Sequence, residues 1–75
     1  MLGDIFVEFT DHALARMSER MISEEQVREC LQQHEDSYSA NGDTVYKHVQ
    51  SDGHTLKVRV RGTNPLYIVD TILLQ

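Results

Sequence analysis

Two runs of alternating apolar and polar residues flank the dipeptide Asp52-Gly53 in the second half of the chain. The first run is TVYKHVQ (44–50), and the second is TLKVRVRG (55–62). Asp-Gly between such runs is the strongest short-range sign of a β-hairpin, because glycine accepts the positive φ angles that tight hairpin turns need. This segment therefore predicts two antiparallel strands.

A two-residue loop at this dipeptide would sort the side chains of the hairpin into two faces. One face is apolar except for Lys47, and we expect it to lie under the rest of the domain. The other face is basic and aromatic and takes Tyr46, His48, Gln50, Lys57, Arg59 and Arg61. A four-residue loop at 62–65 adds Ile68 and Ile72 to that second face. The assignment depends on the register, since a shift of one residue exchanges the faces of a strand.

Shorter patterns predict the other elements. Residues 5–9 alternate and indicate a first strand, and the apolar run at 67–74 indicates a last one. Thr10 is a typical N-cap for a first helix, and Ser23 with Gln26 forms the capping box of a second. The residues expected on the buried helix faces are Ala13, Leu14, Met17 and Met21 in the first helix, and Val27, Cys30 and Leu31 in the second.

These patterns give the element order β-α-α-β-β-β, with residues 34–43 as a polar connection. We expect one α+β domain over residues 1–75, in which two antiparallel helices pack on one face of a small, mostly antiparallel four-stranded sheet. A chain of 75 residues has room for a single small core.

Composition narrows the functional classes. The hydrophobic fraction of 40% is too high for a disordered chain, and no segment resembles a signal peptide or a membrane span. The single cysteine, Cys30, excludes an internal disulfide framework and fits the cytoplasm. We expect it to be a small buried hydrophobe rather than a reactive thiol. The histidines and Cys30 lack the spacing of zinc ligands, so we expect no metal site and no cofactor.

Charge is distributed unevenly along the chain, whose net charge is −5. Residues 1–43 contain ten acids and three arginines, a net of −7, whereas residues 44–75 contain two acids and four cations, a net of +2. Attraction of nucleic acid by the net charge of the whole molecule is therefore excluded, whereas these counts are compatible with a local basic patch. The mixed sheet face is then a solvated face, a protein interface through Tyr46, Ile68 and Ile72, or a surface for RNA or phosphate.

The segment HALARMSERM (12–21) spaces His12, Arg16 and Arg20 at steps of four, which stacks them on one stripe of a helix. Like-charged neighbours repel, so an acidic partner or an anionic ligand must compensate. In one explanation Arg16 pairs with Glu19, and Arg20 with an acid at 24–25. In the other, the two guanidinium groups bind phosphate or carboxylate while His12 transfers a proton, which makes all three catalytic candidates.

Two segments, FTDHALARMSERMIS (9–23) and DGHTLKV (52–58), carry a family resemblance. The matching positions are Phe9, Thr10, His12, Ala13, Arg16, Met17, Arg20, Ile22, Ser23, Asp52, Gly53, Thr55, Leu56, Lys57 and Val58. On these residues the chain resembles the bacterial family catalogued as domain of unknown function 4258. Those proteins are similar to the RelE and BrnT toxins, which share a β-α-α-β-β-β core.

The toxin resemblance implies two activities, cleavage of mRNA on the ribosome and binding of an antitoxin protein. Two hypotheses follow. The first is a toxin-like domain that acts on RNA, with Arg16, Arg20, Lys57, Arg59 and Arg61 neutralising phosphate beside Tyr46 and His48, and with His12 or His48 as general acid or base. The second is a non-catalytic module that binds an antitoxin-like protein or a second copy of itself through Tyr46, Ile68 and Ile72.

Overall fold

The structure, a computed structural model, describes residues 6–62 and 65–74, so Ile5 and part of the predicted 62–65 loop lie outside the described residues. The elements are β1 (Val7–Phe9), α1 (Asp11–Arg20), α2 (Glu24–Gln33), β2 (Asp36–Ala40), β3 (Asp43–Val49), β4 (Thr55–Arg61) and β5 (Leu66–Leu74). The strands form one sheet in the order β1-β5-β4-β3-β2. Strand β1 pairs in parallel with β5, and the other neighbours pair antiparallel. The predicted α+β class with two helices is confirmed.

The predicted sheet of four strands is wrong, because the described residues form five. Residues 36–40, expected in a polar connection, form the edge strand β2. A tight turn joins it to β3, with a φ of 52° at Asn41 and 85° at Gly42. Positive φ at both central residues is typical of two-residue hairpin loops, and Asn-Gly is their commonest sequence. This dipeptide was therefore a sequence signal for the additional strand.

The turn between β3 and β4 has three residues rather than two. The Gln50 amide donates to the His54 carbonyl at 2.8 Å, and the Gly53 amide donates to the Gln50 carbonyl at 2.9 Å. Gly53 has a φ of 91°, which fits the left-handed position of a three-residue hairpin loop. Gln50 and His54 therefore close the loop, and each β3 residue pairs one position earlier on β4 than a two-residue loop predicts.

This shift exchanges the two faces of β3. Tyr46 and His48 pair with core residues of β4, so they lie on the face under the helices, and their predicted place on the uncovered face is wrong. His48 is buried, and Tyr46 packs against the core. Lys47, expected under the helices, lies on the uncovered face opposite Lys57.

The pairing of β4 with β5 contains an irregularity at Val69, which has no partner on β4 among the described pairs. Such a β-bulge changes which side chains face each way beyond it. Ile68, just before the bulge, pairs with Val60 and is fully buried. Its predicted place on the exposed face is therefore wrong. Ile72, beyond the bulge, lies on the uncovered face as predicted and is partly exposed.

The core lies between the helices and the covered face of the sheet. Its buried members are Ala13, Met17, Ile22, Val27, Cys30, Leu31, Leu56, Val58, Val60 and Ile68. The N-cap at Thr10 and the capping box of Ser23 with Gln26 begin the helices as predicted. Leu14 and Met21, however, are exposed. The turn after α1 leaves Met21 in solvent, and the next residue enters the core instead.

Met21 occupies a backbone position that normally favours glycine. Its φ is 57° and its ψ is 42°, the left-handed conformation that ends many helices. Its side chain is 88% exposed, so few packing contacts offset the strain. We expect Met21→Gly to stabilise the domain by about 1 kcal/mol, which raises the melting temperature by about 5 °C in thermal unfolding followed by circular dichroism.

Met21→Ala is the matched control for this prediction. It removes the same exposed side chain but keeps the Cβ atom that causes the strain. A glycine variant no more stable than the alanine variant would show that strain at this position is negligible.

Candidate functional site

The face of the sheet opposite the helices, called the open face below, collects the side chains that alternate with the buried ones. From one end of the strands to the other it presents Glu8, Tyr67, Arg61 and Asp43, then Asp70, Arg59, Val45 and Tyr38, then Ile72, Lys57, Lys47 and Asp36, then Leu74, Thr55 and Val49. Cations occupy its centre on β3 and β4, aromatic rings lie on β2 and β5, further carboxylates lie on the strands around the cations, and exposed aliphatic residues lie at one end.

All four cations of residues 44–75 lie on the open face, namely Lys47, Lys57, Arg59 and Arg61. Lys57, Arg59 and Arg61 share this face because alternate residues of one strand point to the same side of the sheet. The same face carries the carboxylates of Glu8, Asp36, Asp43 and Asp70, so its four cations are grouped at its centre while the face as a whole has no excess of positive charge.

Two of these cations share one buried carboxylate. The Nε atoms of Arg59 and Arg61 each donate to Asp43 at 2.7 Å, and Nη2 of Arg61 donates a further bond at 3.2 Å. Asp43 is only 3% exposed, and the hydrogen bonds from Arg61 and then Arg59 lower its pKa. In turn, Asp43 raises the pKa of Arg61. Asp43 thus fixes both guanidinium groups on the sheet and leaves the pair with a net positive charge.

Aromatic rings flank the cations on two strands. Tyr38 on β2 is 43% exposed, and the Nζ of Lys57 lies 5.9 Å from the centre of its ring, within cation–π range. Tyr67 on β5 is 45% exposed and is the cross-strand partner of Arg61. Both rings are therefore accessible beside a positive charge.

The stripe on α1 meets the edge of β5. Nη1 of Arg20 donates to the carbonyl of Thr71 at 2.6 Å and lies 3.9 Å from Oδ1 of Asp70. Nε2 of His12 lies 3.6 Å from the same carboxylate oxygen. Asp70, rather than the acids at 24–25, is thus the acidic partner of Arg20.

Arg16, the middle member of the stripe, pairs with Glu19 at 2.9 Å, as one of the two explanations predicted. The side chains of this pair are 40% and 59% exposed, so the bond contributes little stability. Each member of the stripe therefore lies close to a protein carboxylate. Asp70 is also the cross-strand partner of Arg59, so the stripe and the open face meet at this residue.

His48 lies between two carboxylates on the covered side of the sheet. Its Nδ1 is 2.9 Å from Oε1 of Glu35, and its Nε2 is 3.3 Å from Oε1 of Glu29. The other oxygen of Glu35 accepts a bond from the Val49 amide at 2.7 Å, which is the main reason that the pKa of Glu35 is lowered. These contacts link α2 to β3 and to the start of β2. They lie on the covered side of the sheet, so His48 is on the opposite side from the open-face cations.

Cys30 is fully buried beside these elements, as predicted. Burial is the main cause that raises its pKa from 9.0 to about 12, with smaller contributions from Glu35 and Glu29. The thiol faces the carbonyls of Tyr46 and Leu56 at 3.5 and 3.6 Å. A protonated, buried thiol is a poor nucleophile, so Cys30 is a core residue.

Sequence reasoning did not place Tyr38, Asp43, Lys47 or Tyr67 on the open face. Tyr38 and Asp43 were placed in a polar connection, Lys47 was placed under the helices, and Tyr67 was not assigned to the basic face. The Asn-Gly turn could have identified the strand that carries Tyr38, and through its register the position of Asp43. The place of Tyr67 depends on the bulge in β5, for which the sequence has no clear signal.

Two findings concern site types outside the open face. Within residues 6–62 and 65–74, the His, Cys, Asp and Glu side chains form no cluster suited to a metal ion. In the same ranges, neither helix has the length and apolar character needed to span a membrane.

Comparison with known proteins identifies one family. The model of a family described as a domain of unknown function, DUF4258, matches residues 9–69. This range covers most of the chain and includes both segments on which the resemblance rests, at 9–23 and 52–58. No curated protein and no solved structure matches the chain.

Proposed function

We propose that this chain, which belongs to the DUF4258 family, binds single-stranded RNA on the open face of its sheet. The observation that carries the proposal is the grouping of Lys47, Lys57, Arg59 and Arg61 on one uncovered face with accessible aromatic rings beside them. Cations that contact the backbone and rings that stack on bases are the two elements of sequence-tolerant binding to single strands.

The proposal is binding rather than cleavage. General acid–base cleavage needs a group within hydrogen-bond reach of the proton it moves. Among the described open-face residues there is no histidine, since His48 is buried on the covered side and His12 lies on α1. The carboxylate of Asp43 is held by two arginines and has a lowered pKa, which makes it a weak base. Resemblance to the RelE and BrnT toxins supports RNA as the ligand without supplying a catalytic group on this face.

The double variant Lys47→Gln/Lys57→Gln tests the proposal. Neither lysine forms an ion pair among the described residues, so the fold should be retained. We expect affinity for a fluorescent 12-nucleotide RNA, measured by anisotropy at low salt, to fall about tenfold. The slope of log K against log salt should become shallower by about 0.7 for each phosphate that the variant no longer neutralises.

Arg28→Gln and Arg16→Gln are the controls, because each removes one positive charge from a helix, away from the open face. Unchanged binding in both, with weaker binding in the lysine variant, assigns RNA to the open face. Weaker binding in Arg16→Gln alone would assign it to the stripe on α1, and no binding by the wild type at low salt would exclude RNA altogether.

A second candidate function is self-association through the aliphatic end of the open face. Val49, Ile72 and Leu74 are 52%, 38% and 42% exposed and lie on β3 and β5, the two strands that flank β4. Grouped exposed aliphatic side chains are typical of interfaces. Sedimentation tests this function. A wild-type dimer together with an Ile72→Asp monomer would support it, and a wild-type monomer at high concentration would exclude it.

A further inference from the structure

We infer that a single RNA strand crosses the open face from β2 to β5 and stacks one base on Tyr38 and another on Tyr67. The inference rests on the proposed function and specifies its ligand, namely an unpaired segment long enough to reach both rings. Duplex RNA does not fit this arrangement, because its bases are already stacked and its faces are not available to side chains.

The register fixes the separation of the two rings. Tyr38 is on β2, aligned through Val45 with Arg59, and Tyr67 is on β5, aligned with Arg61. Three strand spacings of about 4.8 Å and a two-residue offset along the strands place the two Cα atoms about 16 Å apart. The line between them crosses β3 near Val45 and Asp43, and then crosses β4 between Arg59 and Arg61.

The cations on this line suit a phosphate backbone. Asp43 holds both Arg59 and Arg61 through their Nε atoms, so the two guanidinium groups are ordered before any ligand binds. Ordered donors lose less entropy on binding than free side chains do. Lys57, 5.9 Å from the centre of the Tyr38 ring, supplies a further charge next to one stacking position.

The backbone also limits the position of the second ring. Gly62 has a φ of 81°, and a Cβ atom at that residue would lie 3.6 Å from Cδ2 of Tyr67. One edge of the ring, at Cδ2, therefore lies close to the backbone at the end of β4, while 45% of the residue is exposed. This exposed part is the surface that Tyr67 offers to a base for stacking.

The separation predicts a minimum ligand length. A stacked strand advances about 3.4 Å per step, so about five steps, or six stacked nucleotides, span roughly 16 Å, and somewhat fewer do so when unstacked. A dinucleotide can reach only one ring. Affinity should therefore rise steeply between two and about six nucleotides and change little beyond that length.

The three tyrosines of the chain provide an internal control for the test. Oligouridines of two, four, six and eight nucleotides would be titrated into the protein at low salt, and the tyrosine ring signals followed by NMR. We expect the Tyr38 and Tyr67 rings to shift on saturation with the longer oligomers. The Tyr46 ring, packed against the core on the covered face, should not shift.

Substitution of each ring separates stacking from charge. Tyr38→Leu and Tyr67→Leu should each weaken binding of the hexamer by at least about fivefold, whereas Tyr38→Phe and Tyr67→Phe should bind like the wild type. Both residues are exposed, so these variants should fold. The salt dependence should be unchanged in all four, since none of them removes a charge that neutralises phosphate.

The outcomes distinguish this inference from the proposed function. Binding that depends on salt and on the lysines, but leaves the Tyr38 and Tyr67 signals and the leucine variants unaffected, overturns the crossing path and leaves RNA binding in place. A response from only one ring, at every length, also overturns it. No binding at any length overturns the proposed function and this inference together.

Discussion

Replacing Ile68 with aspartate is expected to unfold the domain. Ile68 is fully buried in the core and pairs with Val60, so the substituted carboxylate would have neither water nor a cationic partner there. Burying an unpaired charge costs several kcal/mol, while a domain of this size is stable by only about 5 kcal/mol. We expect loss of the far-ultraviolet circular dichroism of the sheet and collapse of amide dispersion in NMR spectra.

Ile72→Asp is the matched control on the same strand. Ile72 lies on the open face beside Lys57 and is partly exposed, so its aspartate variant should fold with a melting temperature within a few degrees of the wild type. A folded Ile68→Asp protein, or equal damage from both substitutions, would show that the β5 register is different from the one described.

Replacing Asp43 with asparagine should have the second-largest effect. Asp43 is buried and accepts three hydrogen bonds from Arg59 and Arg61, all of which are strengthened by its charge. Asparagine keeps the shape but removes the charge and leaves two guanidinium groups without a counter-ion. We expect the melting temperature at pH 7 to fall by about 5–15 °C, measured by differential scanning calorimetry.

The same substitution should alter how the stability of the domain depends on pH in the acidic range. The pKa of Asp43 is lower in the folded protein than its ordinary value of 3.8, because Arg61 and Arg59 stabilise the carboxylate. The contribution of the Asp43 carboxylate to stability is therefore fully present above pH 3.8, and it is lost as the pH falls through the lowered pKa of the folded protein. The difference in melting temperature between wild type and Asp43→Asn should be constant from about pH 7 to about 5 and shrink below about 4.

Asp36→Asn provides the control for charge alone, since Asp36 is an exposed residue of the neighbouring strand β2. It should change the melting temperature by only a degree or two and leave the acid dependence intact. If Asp43→Asn has the same melting temperature as the wild type both at about pH 7 and below about pH 4, water solvates the two arginines as well as the carboxylate does.

Local interactions explain why the helices were predictable. The N-cap at Thr10 and the capping box at Ser23 use side chains within three residues of the amides they bind. The ion pair of Arg16 with Glu19 is equally local, and the helical spacing of Val27, Cys30 and Leu31 is enough to predict which face of the second helix is buried. Such contacts are encoded by nearest neighbours, and sequence spacing alone identifies them.

The open face was only partly predictable, because it depends on registers that differ by single residues. The sequence located Lys57, Arg59, Arg61 and Ile72 on this face correctly. It assigned the wrong face to Tyr46 because the loop at Gly53 has three residues rather than two, and Asp-Gly is compatible with either length.

By itself, then, the sequence determined the class of the fold, the two capped helices, the existence of the hairpin and the family. Only the tertiary structure decided which side chains meet across strands. Asp43 reaches Arg59 and Arg61, and Asp70 reaches Arg20 and His12, through contacts between residues far apart in the chain. The physical reason is the two-residue period of a strand: one added loop residue or one bulge reverses a face, so burial of the core selects a register that local propensities leave open.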